Sequence, residues 1–211
     1  MRWSRRQYTD KWEQSVPRPF WFGARGSSVQ KGVWKASLAA EYAQATKQSV
    51  ATAMVDVEKA FERFNFRWLC RAAQRYGFPL RMLRGLLVLY SGARCLVVDG
   101  IATSIVHAMA HGVIAGCAHA TAMMKLALLE SLDHTVAKWP LVETSVVVDD
   151  TQFQAVGTKQ LVEAVVRGAT NTFCEHAREH AGLAIHPGKL CVFGERQGYA
   201  ASDSGGSGCK A

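Results

Sequence analysis

A chain of 211 residues, 49% of them hydrophobic and 20% charged, is long enough to bury one good core and too apolar for a disordered protein. Nowhere do about 18 apolar residues run together, and the first residues, with Arg2, Arg5, Arg6 and Lys11, lack the apolar stretch of a secretory signal. The chain therefore reads as intracellular, nuclear or cytoplasmic, with no membrane span and no secretion. Its six cysteines form no C-x-x-C pair, which argues against a zinc knuckle or a disulfide framework and for reduced thiols. The net charge of +8 is uneven: residues 1–35 hold eight Lys/Arg against Asp10 and Glu13, a local +6 that leaves +2 for the other 176 residues.

Residues 1–27 mix Trp, Arg, Pro and Gly without a period and read as a poorly ordered basic arm or the remnant of a larger N-terminal region. From Ser28 to Ser49 an Ala-rich segment with Val33, Trp34, Leu38 and Tyr42 at helical spacing leads into a strand over Ala51–Val57. Asn65 caps a helix over Phe66–Tyr76 that stops at Gly77, and Pro79 opens a second helix through Tyr90. Arg94–Val98 and Ile101–Val106 flank Asp99-Gly100, a strong two-residue hairpin signal. Gly112 and Gly116 break the chain before a long apolar helix, Ala118–Leu132. Thr144–Val148 and Thr151–Val156 read as two short strands with an acid pair at their bend, followed by a helix from Lys159 to Ala181 and a last strand over Leu190–Phe193. The Gly/Ser-rich stretch 197–211 reads as a disordered tail. No internal repeat is visible, and strands alternating with helices predict an α+β fold, an antiparallel sheet with helices on one face.

The chemistry concentrates where apolar runs end in acids. Val146-Val147-Val148 delivers Asp149 and Asp150, and Ala53-Met54-Val55 delivers Asp56. Fixed neighbouring carboxylates repel unless a cation neutralises them. If Asp56 and Asp149, 93 positions apart, lie on neighbouring strands, they can clamp two divalent ions about 3.5–4 Å apart, as nucleotidyl transfer requires. Asp150 would add a ligand or tune the field. A lone Asp-Asp after valines is equally the mark of a hairpin turn. Arg63, Arg67, Arg71 and Arg75 recur every fourth residue with no acid from 63 to 94, so on a helix they would share one face suited to phosphates, or merely a solvated one. His176-Ala177-Arg178-Glu179-His180 matches the H-x-x-E-H zinc-peptidase signature, but Glu195 is the sole acidic candidate for a third ligand before the tail. His107, His111 and His119 show no metal-site spacing.

Taken in order, several motifs resemble the palm of reverse transcriptases of the non-LTR, LINE-type retrotransposon family, over residues 20 to 195. They are Val55-Asp56-Val57-Glu58-Lys59-Ala60-Phe61, Gly77 after the arginine-rich helix, the Asp99-Gly100 hairpin, Gly112-Val113-Ile114-Ala115-Gly116, Val147-Val148-Asp149-Asp150 and the stretch from Gly182 to Lys189. The D-x-E-K-A-F stretch and the acid pair are the most specific; the glycines are individually weak. The resemblance implies a palm domain over residues 28–196 with partial fingers, of which residues 1–27 would be a remnant, and no thumb. It implies RNA-directed DNA polymerase activity, with an RNA template, a DNA primer and deoxynucleoside triphosphates as partners. Asp56, Asp149 and Asp150 would hold two Mg2+ ions, or Mn2+, and Lys189 would assist the leaving pyrophosphate. Phe61 would be the aromatic gate against a 2′-hydroxyl, and Gly112 and Gly116 would frame the loop against template and nucleotide. Read without the resemblance, Phe61 is a core Phe and Lys189 a surface lysine. The chain departs from the family at Ala115, where a glutamine is usual, at Cys117-Ala118-His119, where an acid, Pro and Ser are usual, and at Val147, where an aromatic is usual. A degenerate, non-catalytic nucleic-acid-binding palm is the alternative.

Overall fold

Seven residues, all but Met54 small or branched, form β1 (Ser49–Val55), whose Ala51, Ala53 and Val55 are buried on one side while Met54 is exposed on the other. This alternation is what a strand with only one well-covered face requires. The computed structural model describes residues 5–24, 26–93, 95, 97–102, 104, 111–114, 116–185 and 191–195, with residues 5, 6 and 191–195 as backbone. The strands β2 (Val97–Val98) and β3 (Ile101–Ala102) make a separate two-stranded ladder. Asp99 and Gly100 between them both lie at positive φ, as the Asp-Gly pair predicts. β4 (Glu143–Val147), β5 (Asp150–Gly157) and β6 (Cys191–Glu195) complete a four-stranded antiparallel sheet in the order β4-β5-β1-β6.

The helices are α1 (Asp10–Ser15), α2 (Val29–Ala45), α3 (Ala60–Arg63), α4 (Phe66–Arg75), α5 (Leu80–Ser91), α6 (Ala120–Lys138) and α7 (Lys159–Ala181). α6 is apolar around its circumference, with Ala122, Met123, Met124, Leu126, Leu128, Leu129 and Leu132 all fully buried, and serves as the central helix. α7 packs on α6 and on the sheet, where Phe173 meets Phe153 edge-on at 5.5 Å. α7 ends at Gly182, where amides of Gly182 and Leu183 donate back to Arg178 and Ala177 carbonyls, satisfying two of the carbonyls a helix end leaves bare. The opposite sheet face carries α2: Gln154 Nε2 donates to the Ala36 carbonyl (3.3 Å) and to Thr52 Oγ1 (3.1 Å). No helix among the described residues is long and apolar enough to cross a membrane.

The N-terminal stretch corrects the expectation of a poorly ordered arm. Residues Arg5–Thr9 form a π-helical turn that runs into α1, and Trp12, Phe20 and Trp21 belong to the core. Trp12 sits edge-on to Phe78 at 5.0 Å and its indole N–H donates to the Tyr76 carbonyl (2.8 Å). From α6 the fully buried Lys125 donates to the Val16 carbonyl (2.9 Å) and faces the Trp12 ring. Arg18 grips Asp133 with two bonds of 2.7 and 2.6 Å. Burial pushes the Lys125 ammonium pKa down, whereas hydrogen bonding to Asp133 raises that of Arg18 against the lowering effect of burial. The tail 197–211 and Lys189 lie outside the described residues.

Candidate active site

The β4–β5 ladder ends on the pair Val147↔Asp150, so the connecting turn is Val148-Asp149 and Asp150 is already the first residue of β5. The bend therefore lies one residue earlier than the strand pattern suggests. Val148 adopts φ 60. For a β-branched side chain the left-handed region costs on the order of 1–3 kcal/mol and persists only where the surroundings over-determine it. Glycine or asparagine is the ordinary choice in such a turn. Val148 is half-buried against the core, Asp149 is half-buried, and Asp150 is exposed.

Asp56 follows β1 directly. The β1–β5 register ends at Val55↔Thr151, so Asp56 and Asp150 each stand one residue beyond that last pair, at the same end of the sheet. Beyond Asp56 the chain turns to another partner: Val57 bridges Ile185, and the Glu58 amide donates to the Ala184 carbonyl (2.8 Å). These contacts tie the two residues after Asp56 to Ala184 and Ile185.

The nucleotide-loop candidates also converge. The Gly112 amide donates to the Phe64 carbonyl (2.8 Å), the Val113 amide to the Phe61 carbonyl (2.6 Å), and His111 Nδ1 lies 3.1 Å from the Glu62 carbonyl. The loop 111–113 is thus docked on α3. Gly112 has φ 93, and a Cβ there would stand 2.9 Å from the Glu62 carbonyl oxygen, so its lack of a side chain serves close approach to α3. Gly116, at φ 80, has open space where its Cβ would be. Phe61 is half-buried, packed against the core and edge-on to Phe64 at 6.3 Å.

The arginines divide into two kinds. Phe64 and Asn65 interrupt the helix, so Arg63 ends α3 while Arg67, Arg71 and Arg75 share α4, capped by Asn65 Oδ1 accepting from the Arg67 amide (2.9 Å). Arg63 pairs with Glu58 at 3.1 Å and Arg75 pairs with Glu130 of α6. Arg67 and Arg71 are exposed and carry no ion pair among the described residues. A cleft of about 280 Å³ opens between α4, α6 and α7, lined by Trp68, Arg71, Arg75, Glu130, Glu179 and His180; none of the three aspartates borders it.

His176 and His180, from the H-x-x-E-H stretch, stack at 4.0 Å, and His134 stacks on His176 at 4.6 Å. Burial, then the neighbouring imidazoles, lowers the His176 pKa. Among the described residues no three or more His, Cys, Asp or Glu side chains gather as a metal cage, and this covers both the stacked histidines and the three aspartates. Mg2+ asks for less than a cage: it takes one or two carboxylates and fills its octahedron with water and substrate phosphates. Hard carboxylate oxygens at one sheet end, from Asp56 after β1, Asp149 in the turn and Asp150 at the start of β5, are of the donor type Mg2+ takes.

What escaped sequence reasoning is the support behind the turn. Phe20, Trp21 and Phe22 run beside β4: the Val146 amide donates to the Phe20 carbonyl and the Phe22 amide to the Val146 carbonyl, both at 2.8 Å. No periodic signal in residues 16–24 announces this strand-like stub.

No protein-family description matches the sequence, and no curated protein does. The fold does have solved counterparts. Telomerase from Candida tropicalis, solved with a TWJ fragment of telomeric RNA, superposes with a TM-score of 0.67 at 8% identity, over 95% of this chain and 34% of that one. Apo telomerase from the same organism, truncated from its C-terminal domain, gives 0.61 at 10% identity, over 93% of this chain and 43% of that one. This chain thus spans well under half the length of either, and the similarity concerns the fold: an α+β, palm-like, reverse-transcriptase-like architecture.

Proposed function

We propose that this chain is the palm of an RNA-directed DNA polymerase of the non-LTR reverse-transcriptase type, adding deoxynucleotides to a primer 3′-hydroxyl on an RNA template. The observation that carries the proposal is the turn at Val148-Asp149: a valine held at φ 60 sets two carboxylates at the sheet end where Asp56 leaves β1. Strained backbone beside neighbouring acids from separate strands is what a built site looks like. The retrotransposon lineage rests on the D-x-E-K-A-F and D-D motifs, and the telomerase neighbour's complex with RNA supports a nucleic-acid partner.

Asp56 and Asp149, supported by Asp150, would hold two Mg2+ or Mn2+ ions, which when bound supply activation of the 3′-hydroxyl and neutralisation of the leaving group. The chain's own residues would do the rest. The Phe61 ring, at the start of α3 beside the docked 111–113 loop, would lie beneath the incoming sugar and bar a 2′-hydroxyl. Gly112 and Gly116 would shape the loop against the templating base, and Lys189 would give charge or a proton to the departing pyrophosphate. Arg67 and Arg71 would meet backbone phosphates of the template–primer duplex.

A second proposal, a nucleic-acid-binding palm without synthesis, is favoured by Ala115 in place of the usual glutamine and by the absence of a three-carboxylate cage among the described residues. Primer extension on an RNA template with labelled deoxynucleotides and Mg2+, comparing the chain with Asp149→Ala, separates them. Extension that disappears in the variant supports the polymerase. No extension by either protein, with RNA binding intact, supports the non-catalytic palm.

A further inference from the structure

Gly23 lies directly against the strained turn. A Cβ built on it would stand 3.1 Å from the Val148 amide nitrogen, 3.2 Å from Val148 Cγ2 and 3.3 Å from Trp21 Nε1. Such distances are tighter than real Cβ contacts normally allow, and the neighbour that must yield is the residue at φ 60 that launches Asp149. The segment leading to Gly23 is fixed from both sides. Phe20 and Phe22 hydrogen-bond to Val146 at the free edge of β4, Phe20 and Trp21 are buried, and the Phe22 ring rests on α2 at Gly32. The stub therefore cannot retreat easily, and displacement falls on Val148.

We infer that Gly23 is a positioning residue for the carboxylate turn: the Phe20–Gly23 stub clamps Val148 in its strained conformation and so fixes where Asp149 and Asp150 stand relative to Asp56. The inference rests on the palm function proposed above for its consequence at the site, but not for the clamp itself. Two properties make the clamp specific. It acts on the turn residue that is not itself an acid, and it comes from a part of the chain more than 120 positions away, from which a turn of this sequence would otherwise receive no support. Carboxylates must hold their geometry to within about 0.5 Å to act together, and a Cβ at position 23 asks its neighbours, Val148 first, to give by a few tenths of an ångström.

The test compares wild type, Gly23→Ala, Val148→Gly and the double variant, with Gly85→Ala as control because a Cβ at Gly85 in α5 meets open space. Mn2+ affinity is read by electron paramagnetic resonance titration, and amide hydrogen exchange at Val146 and Asp150 is read by NMR, which needs no metal. Gly23→Ala is expected to weaken Mn2+ binding about fivefold or more and to speed exchange at both amides, with Gly85→Ala like wild type. In the Val148→Gly background the Cγ2 contact is gone and the backbone of residue 148, free of strain at φ 60, can yield at the remaining contact with its amide nitrogen, so the same substitution should change either readout by less than about twofold. Equal Mn2+ affinity and equal exchange in wild type and Gly23→Ala overturn the clamp. No Mn2+ binding by wild type overturns the metal-dependent palm instead, and the exchange rates then decide the clamp alone. Should Gly23→Ala fail to fold, a folded double variant with the affinity of Val148→Gly supports the clamp, and an unfolded one overturns it.

Discussion

Replacing Arg67 and Arg71 together by alanine isolates the electrostatic part of nucleic-acid binding. Both side chains are exposed on α4, and neither forms an ion pair among the described residues, so each is ready to displace a counterion from a phosphate. Each such contact contributes about 0.7 (single strand) to 0.9 (duplex) to the slope of log K against log salt. The double variant should therefore flatten that slope by about 1.4 on single-stranded RNA and about 1.8 on duplex. Over a roughly fourfold rise in salt, wild type would lose about 7- to 12-fold more affinity than the variant. Arg63→Ala with Arg75→Ala is the matched comparison, because those guanidiniums already engage Glu58 and Glu130 and must break these pairs before meeting phosphate. Its slope should change by less than half as much. Fluorescence anisotropy of a labelled RNA–DNA hybrid and of the RNA alone, titrated across KCl, measures both. An unchanged slope in the Arg67/Arg71 variant with helical content intact, or an equal drop in the Arg63/Arg75 variant, would refute the assignment of the exposed pair to phosphates.

Three further outcomes follow from the packing. Phe153→Ala removes a fully buried ring that abuts Phe173, which should cost about 3–5 kcal/mol and lower the Tm by roughly 10 °C in calorimetry; a fall under about 3 °C would contradict its place in the core. The Tyr76 phenol is pushed up to about 12, first by burial and then by Asp133, so in the native state it holds its proton longer than in the unfolded chain. Its stabilising contribution is fully present below about pH 10 and lost as pH rises through about 12, so Tyr76→Phe should flatten the alkaline fall in urea-unfolding stability, and an unaltered fall would assign it to other groups. Gly112→Ala meets the Glu62 carbonyl oxygen at 2.9 Å and also strains φ 93, so it should destabilise by about 1–3 kcal/mol in chemical unfolding; a neutral substitution would mean that the 111–113 loop is not held on α3.

Elements whose causes are local were legible in the sequence. Asn65 caps α4 within two residues, Asp99-Gly100 supplies both positive φ values of its hairpin, and Gly182 closes α7, so each boundary falls close to the expected one. The apolar runs foretold β1 and β4 for the same reason. The N-terminal helix was not legible because Trp12 is its one buried apolar residue, beside the buried acids Asp10 and Glu13, and the partners of Trp12 stand far off in sequence: Tyr76 and Phe78 by more than 60 positions, Lys125 by more than 110. Arginine spacing misled in a similar way, since a four-residue repeat does not reveal that Phe64 is needed by the core and breaks the helix there.

The candidate site shows both sides of this limit. Asp56, Asp149 and Asp150 were readable as acids ending apolar runs, but the turn that presents two of them violates local preference: valine is a poor choice for φ 60, and a propensity argument would have continued β4 through Val148. Local and global preferences usually agree in a sequence that folds well, and departures concentrate where function imposes them. Here the departure is maintained by contacts that arrive from Phe20 to Gly23, so the residues that shape the acid pair are invisible from the pair itself. It follows that a turn optimised by local rules, as Val148→Gly would make it, is easier to form and less fixed: the strain at Val148 is the sign that the position of Asp149 is set by the whole fold rather than by the hairpin.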